Sequence, residues 1–285
     1  MNYDRHIPNA ITCGNLFCGC LAIVFAFQGN LVWTAYLVGI AAVLDFFDGF
    51  AARLLGVSGE MGKQLDSLAD MVTFGVVPGV VIYQLFAMWI LKQHVSNFDL
   101  MEAIQGKSPT LPSWYYLLPS IGFLVTIFSC IRLAKFNLDD RQKDSFIGLP
   151  TPANTLLICS LPLILDVSAI HLPTTLSGNP LGAIVSSMAG AVNDSPYSNV
   201  IINPWFLGGL SILLSYLLVA EIPLFALKFK NFGWTDNKLR YSFLLLALAL
   251  LIIFQYIGIP ISILLYVVLS MINNLLNKHK NEVQG

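Results

Sequence analysis

Apolar residues fall along this chain in long blocks separated by short polar stretches, not in the strict alternation of a half-buried strand. A helix needs roughly 20 apolar residues to cross about 30 Å of hydrocarbon. Eight blocks approach that length: 9–28, 31–55, 66–92, 114–136, 150–169, 204–227, 240–257 and 259–277. The last two are divided at Gly258 and Pro260, which interrupt an otherwise continuous apolar run. The pattern predicts an all-α fold, a polytopic membrane helix bundle with about eight transmembrane helices. No internal repeat or low-complexity linker divides it, so residues 1–285 read as a single integral membrane domain.

Composition agrees. The chain is 56% hydrophobic and 11% charged, whereas soluble domains run near a quarter charged. With both termini in the cytoplasm, 13 of the 15 Lys and Arg fall on the cytoplasmic side, and only Lys92 and Lys107 fall outside. That asymmetry is what the positive-inside rule requires of an even span count. Two segments are then external: 93–113, and 170–203 with its short apolar patch LGAIVSSMAGAV. Segments 56–65, 137–149 and 228–239 are cytoplasmic.

Arg5 before the first apolar block resembles the start of a signal peptide. No small-x-small cleavage site closes it, however, and Phe27-Gln28-Gly29 leads directly into the next block, so a retained span is expected. The five cysteines lie inside predicted spans without zinc or disulfide spacing. The net charge of −1 says nothing about partners, and no nucleic acid is expected.

Against this apolar background the stretch LDFFDGFAARLLGVSGEMGKQLDSLAD stands out. It sets Asp45, Asp48, Asp66 and Asp70 in the pattern D-x2-D-G-x2-A-R-x8-G-x3-D-x3-D. Carboxylates in an apolar setting lose hydration and need positive charge nearby. Arg53 alone cannot neutralise four of them. Asp45 and Asp48 are i,i+3 near the cytoplasmic end of one predicted helix; Asp66 and Asp70 are i,i+4 at the start of the next. A short connection with Gly56, Gly59 and Gly62 returns the chain antiparallel, so each helix presents two carboxylates to a common point. Such a site suits two hard divalent cations, Mg2+ or Mn2+. Gly49 and Ala52 leave room for a ligand beside Asp48, and the planar fork of Arg53 is suited to a phosphate. Taken pairwise, the same aspartates also fit a cation or proton path in a transporter. Transport sites lie near the bilayer midplane, whereas these residues sit at cytoplasmic helix ends.

The complete pattern, residues 45–70, resembles the signature of the CDP-alcohol phosphotransferase family, membrane enzymes that move a phosphate-bearing group from a CDP-linked donor to an alcohol. The resemblance implies that all four aspartates bind two divalent ions and that Asp70 is also the general base. It implies contacts to the CDP moiety from Gly49, Ala52 and Arg53, and a homodimer with one site per subunit.

Three further stretches are similar to the serine-using bacterial branch of that family. IPNAITCGNLFCGCLAIVFAFQG opens the chain, with Asn9 and Thr12 as candidate nucleotide contacts; Pro8 and Asn9 also suit a helix start. DSLADMVTFGVVPG carries Ser67 and Thr73, either ligand hydroxyls or helix-packing ones. IRLAKFNLDDRQKDSFIGLPTPAN supplies an acceptor segment at 132–154, in which Arg132, Lys135 and Asn137 are candidates for the serine carboxylate or else cytoplasmic anchors. Lys135 stands where arginine is commoner, keeping the charge without the fork. VAEIPLFALKFK matches a late family segment in placement, and Glu221 within it has no assigned partner.

The resemblance thus implies transfer of a phosphatidyl group from CDP-diacylglycerol to the hydroxyl of L-serine, with release of CMP, at a prokaryotic cytoplasmic membrane. Acceptors such as glycerol 3-phosphate or inositol phosphate, and an archaeal lipid donor, stay open as siblings.

Overall fold

The computed structural model describes residues 6–57, 59–96, 114, 117–138, 146–165, 197–224 and 233–284. Helices α1 (His6–Phe27) and α2 (Leu31–Leu54) form an antiparallel hairpin. Its turn uses Gly29 at φ 78, and the Asn30 side chain caps α2 by accepting from the Trp33 N–H at 3.2 Å. Across the pair, the Thr34 hydroxyl donates to the Ala22 carbonyl at 3.1 Å. Helix α3 (Glu60–Asp70) runs through a π-helical turn (Met71–Val76) into α4 (Val77–Ser96). A 3-10 turn at Leu118–Gly122 leads into α5 (Phe123–Leu138). Then come β1 (Phe146–Ile147), α6 (Thr151–Ile164), the short α7 (Ser198–Ile201), α8 (Pro204–Val219), β2 (Pro223–Leu224), α9 (Trp234–Phe254) and α10 (Gly258–Gln284).

Five helical stretches are long and apolar enough to cross a membrane: His6–Phe27, Leu31–Leu54, Glu60–Ile90, Leu118–Leu138 and Arg240–Leu275. Thr151–Ile164 and Pro204–Val219 are shorter apolar helices. The protein is a polytopic helical membrane protein. The fifth stretch doubles back on itself: Gln255 adopts φ 49, and the Phe243 and Tyr266 rings meet at 5.5 Å across α9 and α10. This reversal falls three residues before the expected break at Gly258. Central and peripheral helices separate clearly by burial. The Glu60–Ile90 rod is 67% buried over its apolar window, against 6% for Arg240–Leu275, which lies at the periphery of the bundle.

Two differences from the sequence pattern have physical causes. The third helix begins at Glu60 rather than 66, because its first turns are polar and only the apolar part marks a span. Extended Gly59 starts it, and Glu60 in the first turn complements the helix dipole. Second, the described residues include one small antiparallel pairing, Phe146 with Leu224 and Ile147 with Pro223. It ties the segment before α6 to the end of α8. The Gly148 N–H donates to the Ile222 carbonyl at 3.0 Å, and the Leu149 N–H to Leu217 at 2.8 Å. Gly148 has φ 75, and a Cβ there would lie 2.6 Å from the Leu218 carbonyl oxygen, so only glycine fits. The expected outer patch LGAIVSSMAGAV, most of segments 93–113 and 170–203, residues 139–145 and residues 225–232 lie outside the described residues.

The π turn follows from Pro78. Proline has no N–H to give the Phe74 carbonyl four residues earlier, and its ring crowds that oxygen. Carbonyls freed inside a membrane need other donors. Neighbouring helices supply them: Thr155 of α6 donates to the Phe74 carbonyl at 2.8 Å, and Thr126 of α5 to the Gly75 carbonyl at 2.9 Å. On the opposite side Thr73 donates to the Asn15 carbonyl at 3.2 Å, and Gly19 lets α1 approach, since a Cβ there would strike the Thr73 hydroxyl at 2.3 Å. Thr155→Val, which keeps the shape and removes the donor, is expected to lower stability by about 1 kcal/mol. Unfolding in mixed micelles measures it, and an unchanged midpoint would remove Thr155 as the partner of the π turn.

Candidate active site

Helix α1 buries a single stripe, Pro8, Thr12, Asn15, Gly19, Ala22 and Ala26, at alternating spacings of four and three. Its small and polar members let α1 lie closely against α2 and α3. There it meets the aspartates. The Thr12 hydroxyl lies 2.7 Å from Asp48 Oδ2 and 3.0 Å from the Pro8 carbonyl, and the Asp48 side chain is only 5% exposed. Asn15 Nδ2 donates to Asp70 Oδ1 at 3.2 Å. Neutral side chains of α1 thus hold one carboxylate from each of the two acidic helices.

Asp45, Asp48 and Asp66 each offer a carboxylate oxygen within 4.8 Å of the others. Asp70 stands one step away, facing Asp45. The ligand atoms are all carboxylate oxygen, the donor set of a hard divalent cation. This group could hold a metal ion, and the crowding of negative charge gives it reason to.

A cavity of about 550 Å³ opens beside the cluster. Asp48 and Asp66 line it together with Asn9, Thr12, Gly49, Ala52 and Arg53. The five residues expected to contact a nucleotide therefore share one cavity wall with two of the expected metal ligands. Gly56 and Gly59 of the connecting turn line it too, as does Gly62, which falls in the first turn of α3 rather than in the connection; Arg53, also lining it, is exposed. Neither Asp45 nor Asp70 is among its lining residues.

Residues 5–192 match the CDP-alcohol phosphatidyltransferase family. The chain belongs to that family. It is 36% identical over 156 residues to the CDP-diacylglycerol–serine O-phosphatidyltransferase of Bacillus subtilis, covering 53% of this chain and 71% of that protein. The Helicobacter pylori protein of the same name is 31% identical over 242 residues, covering 84% and 92%. The one from Methanocaldococcus jannaschii is 30% identical over 152 residues, covering 53% and 58%.

In this CDP-alcohol phosphatidyltransferase the four candidate acceptor residues do not share one set of contacts. Asn137 Nδ2 donates to the Ser67 hydroxyl at 2.8 Å, Ser67 donates to the Lys63 carbonyl at 3.1 Å, and Lys63 Nζ donates to the Asn137 carbonyl at 3.1 Å. Those contacts join α3 to α5. Lys135 is exposed. Arg132 is buried, 5.9 Å from the Phe136 ring centroid, with Nη1 3.5 Å from the Thr151 hydroxyl and its charge acting on both Asp70 and Tyr266. Glu221 is exposed beyond the end of α8. Thr73 takes the packing role described above. Asn15 was not among the sequence candidates, although its spacing of three from Thr12 put it on the same helical face and was the signal to find it.

In thermal unfolding of the purified protein, Mg2+ or Mn2+ is expected to raise the melting temperature over an EDTA control. At 100 times the dissociation constant the gain is about 2.7 kcal/mol, or several degrees. Asp66→Asn is expected to lose that gain while melting no lower than the parent in EDTA, since it relieves like-charge repulsion. An equal cation response in both proteins would remove Asp66 from the metal group.

Proposed function

We propose that this protein is a CDP-diacylglycerol–serine O-phosphatidyltransferase of a prokaryotic cytoplasmic membrane, with its site open to the cytoplasm. One observation carries the reading: the acidic group Asp45, Asp48 and Asp66 adjoins a cavity walled by Asn9, Thr12, Gly49, Ala52 and Arg53. A cavity of that size suits a cytidine diphosphate headgroup, and relatives bearing that enzyme name support the serine acceptor. The 13-to-2 charge asymmetry supports the cytoplasmic orientation.

In this reading the donor's acyl chains stay in the cytoplasmic leaflet while its headgroup enters the cavity. Asn9 and Thr12 meet the cytidine nucleotide, Gly49 and Ala52 leave the helix surface open to it, and Arg53 holds a phosphate. Asp45, Asp48 and Asp66 would hold two divalent cations, Mg2+ or Mn2+, with Asp70 as a further ligand of the second. When bound, such ions neutralise diphosphate charge and stabilise the oxygens of an in-line displacement. Asp70, oriented by Asn15, accepts the proton of the serine hydroxyl. The serine oxygen then bonds to the phosphorus bearing diacylglycerol, the bond from that phosphorus to the CMP oxygen breaks, and CMP departs. Most of the acceleration comes from positioning and electrostatics. Arg132, buried near Asp70, would hold the serine carboxylate, and Ser67, Lys135 and Asn137 are the further acceptor candidates. The homodimer and the single 1–285 domain belong to this proposal, and the particle mass in detergent checks the dimer.

The deciding experiment is transfer of radiolabelled L-serine into chloroform-soluble lipid by the purified protein with CDP-diacylglycerol and Mg2+ or Mn2+. Label is expected in lipid, abolished by EDTA and reduced at least about a thousandfold in Asp70→Asn. Release of CMP with glycerol 3-phosphate or inositol phosphate but not serine would keep the family and discard the acceptor. Full turnover in Asp70→Asn would discard the base.

A further inference from the structure

Asn15 and Arg132, which act on Asp70, and Asn154, on the α6 face that meets Arg132, carry polar atoms with no protein partner. Asn15 uses its Nδ2 on Asp70, yet its Oδ1 has none. Arg132, whose charge acts on Asp70, leaves its Nε unmet. Asn154 leaves both Nδ2 and Oδ1 unmet although the residue is 0% exposed. It lies one helical turn after Thr151, on the α6 face whose Thr151 hydroxyl approaches Arg132. Buried amides ordinarily find partners, so a site where several remain open next to a reactive group has a missing occupant.

We infer that Asn154 is a specificity-determining residue: with Arg132 and Asn15 it forms a buried polar subsite for a small hydroxy acid bearing both a carboxylate and an ammonium. This deepens the serine reading above and rests on it. Arg132 matches the carboxylate with its Nε–H. The ammonium needs oxygen acceptors, and the side-chain Oδ1 atoms of Asn15 and Asn154 are the open ones; the Asn154 amide also has N–H groups to give the carboxylate. The trio carries one positive charge, which balances one carboxylate. A phosphomonoester, with nearly two negative charges, would leave charge unmet among neutral amides, so the subsite selects against phosphorylated acceptors. It also lies outside the nucleotide cavity, whose lining includes none of the three.

Asn154→Leu tests this in the full-length protein with CDP-diacylglycerol, divalent cation and L-serine. Leucine keeps the side-chain shape and removes only the unmet polar atoms. The KM for L-serine is expected to rise about tenfold or more, with the KM for CDP-diacylglycerol held within about twofold. The melting temperature without substrate is expected to equal or exceed the parent's, because an unsatisfied amide has left the interior. An unchanged serine KM, a rise shared by both substrates, or a variant that melts lower or does not fold would assign Asn154 to structure and overturn the inference. If the parent itself transfers nothing to serine but releases CMP with glycerol 3-phosphate, the serine reading falls and this inference with it. A parent active on serine beside an unaffected variant removes the inference alone.

Discussion

A carboxylate withdrawn from water into a protein interior loses hydration, and this chain gathers Asp45, Asp48, Asp66 and Asp70 in that setting, Asp48 buried and the other three half-buried. Everything around them answers to that constraint. Helix α1 contributes only neutral donors, Thr12 and Asn15, which orient two of the carboxylates without cancelling their charge. The remaining negative potential is what makes the cluster attractive to a cation, and a fully neutralised cluster would have no such use.

Holding charged groups at fixed distances demands rigid neighbours, and the central rod provides them through an irregularity. Pro78 opens the helix into a π turn just after Asp70, and the exposed carbonyls become anchor points for Thr126 and Thr155. One backbone defect therefore clamps three helices around the acidic residue closest to the proposed chemistry. π turns concentrate at functional sites for this reason: they free backbone groups for tertiary bonds that a regular helix would consume.

Helices were largely legible in the sequence because apolar length is a local property. The eight blocks correspond to helices from α1 to α10, and the acidic spacing placed Asp45 with Asp48 and Asp66 with Asp70 before any coordinates. What escaped was either polar or long-range. Glu60 to Leu65 look like a loop because their helix is too polar to register as a span. The bond between Ser67 and Asn137 joins residues 70 positions apart, and nothing local announces it. Gly148 appeared as part of an acceptor motif. Its geometry instead answers to backbone contact with Leu218, which shows that a recurrent motif can be kept by packing as well as by chemistry.

The C-terminal hairpin adds a temporal dimension. All four aspartates and the cavity wall lie before residue 71, but Thr151 and Asn154 come from α6, and Tyr266, near enough to feel the Arg132 charge, comes from α10. Membrane proteins are inserted in chain order during synthesis. The charged half of the site therefore enters the bilayer first and waits for its far wall until α10 folds back on α9. During that interval the acidic cluster is exposed to the nascent bundle without the helices that enclose it. A cation held by the cluster at that stage would shelter its charge.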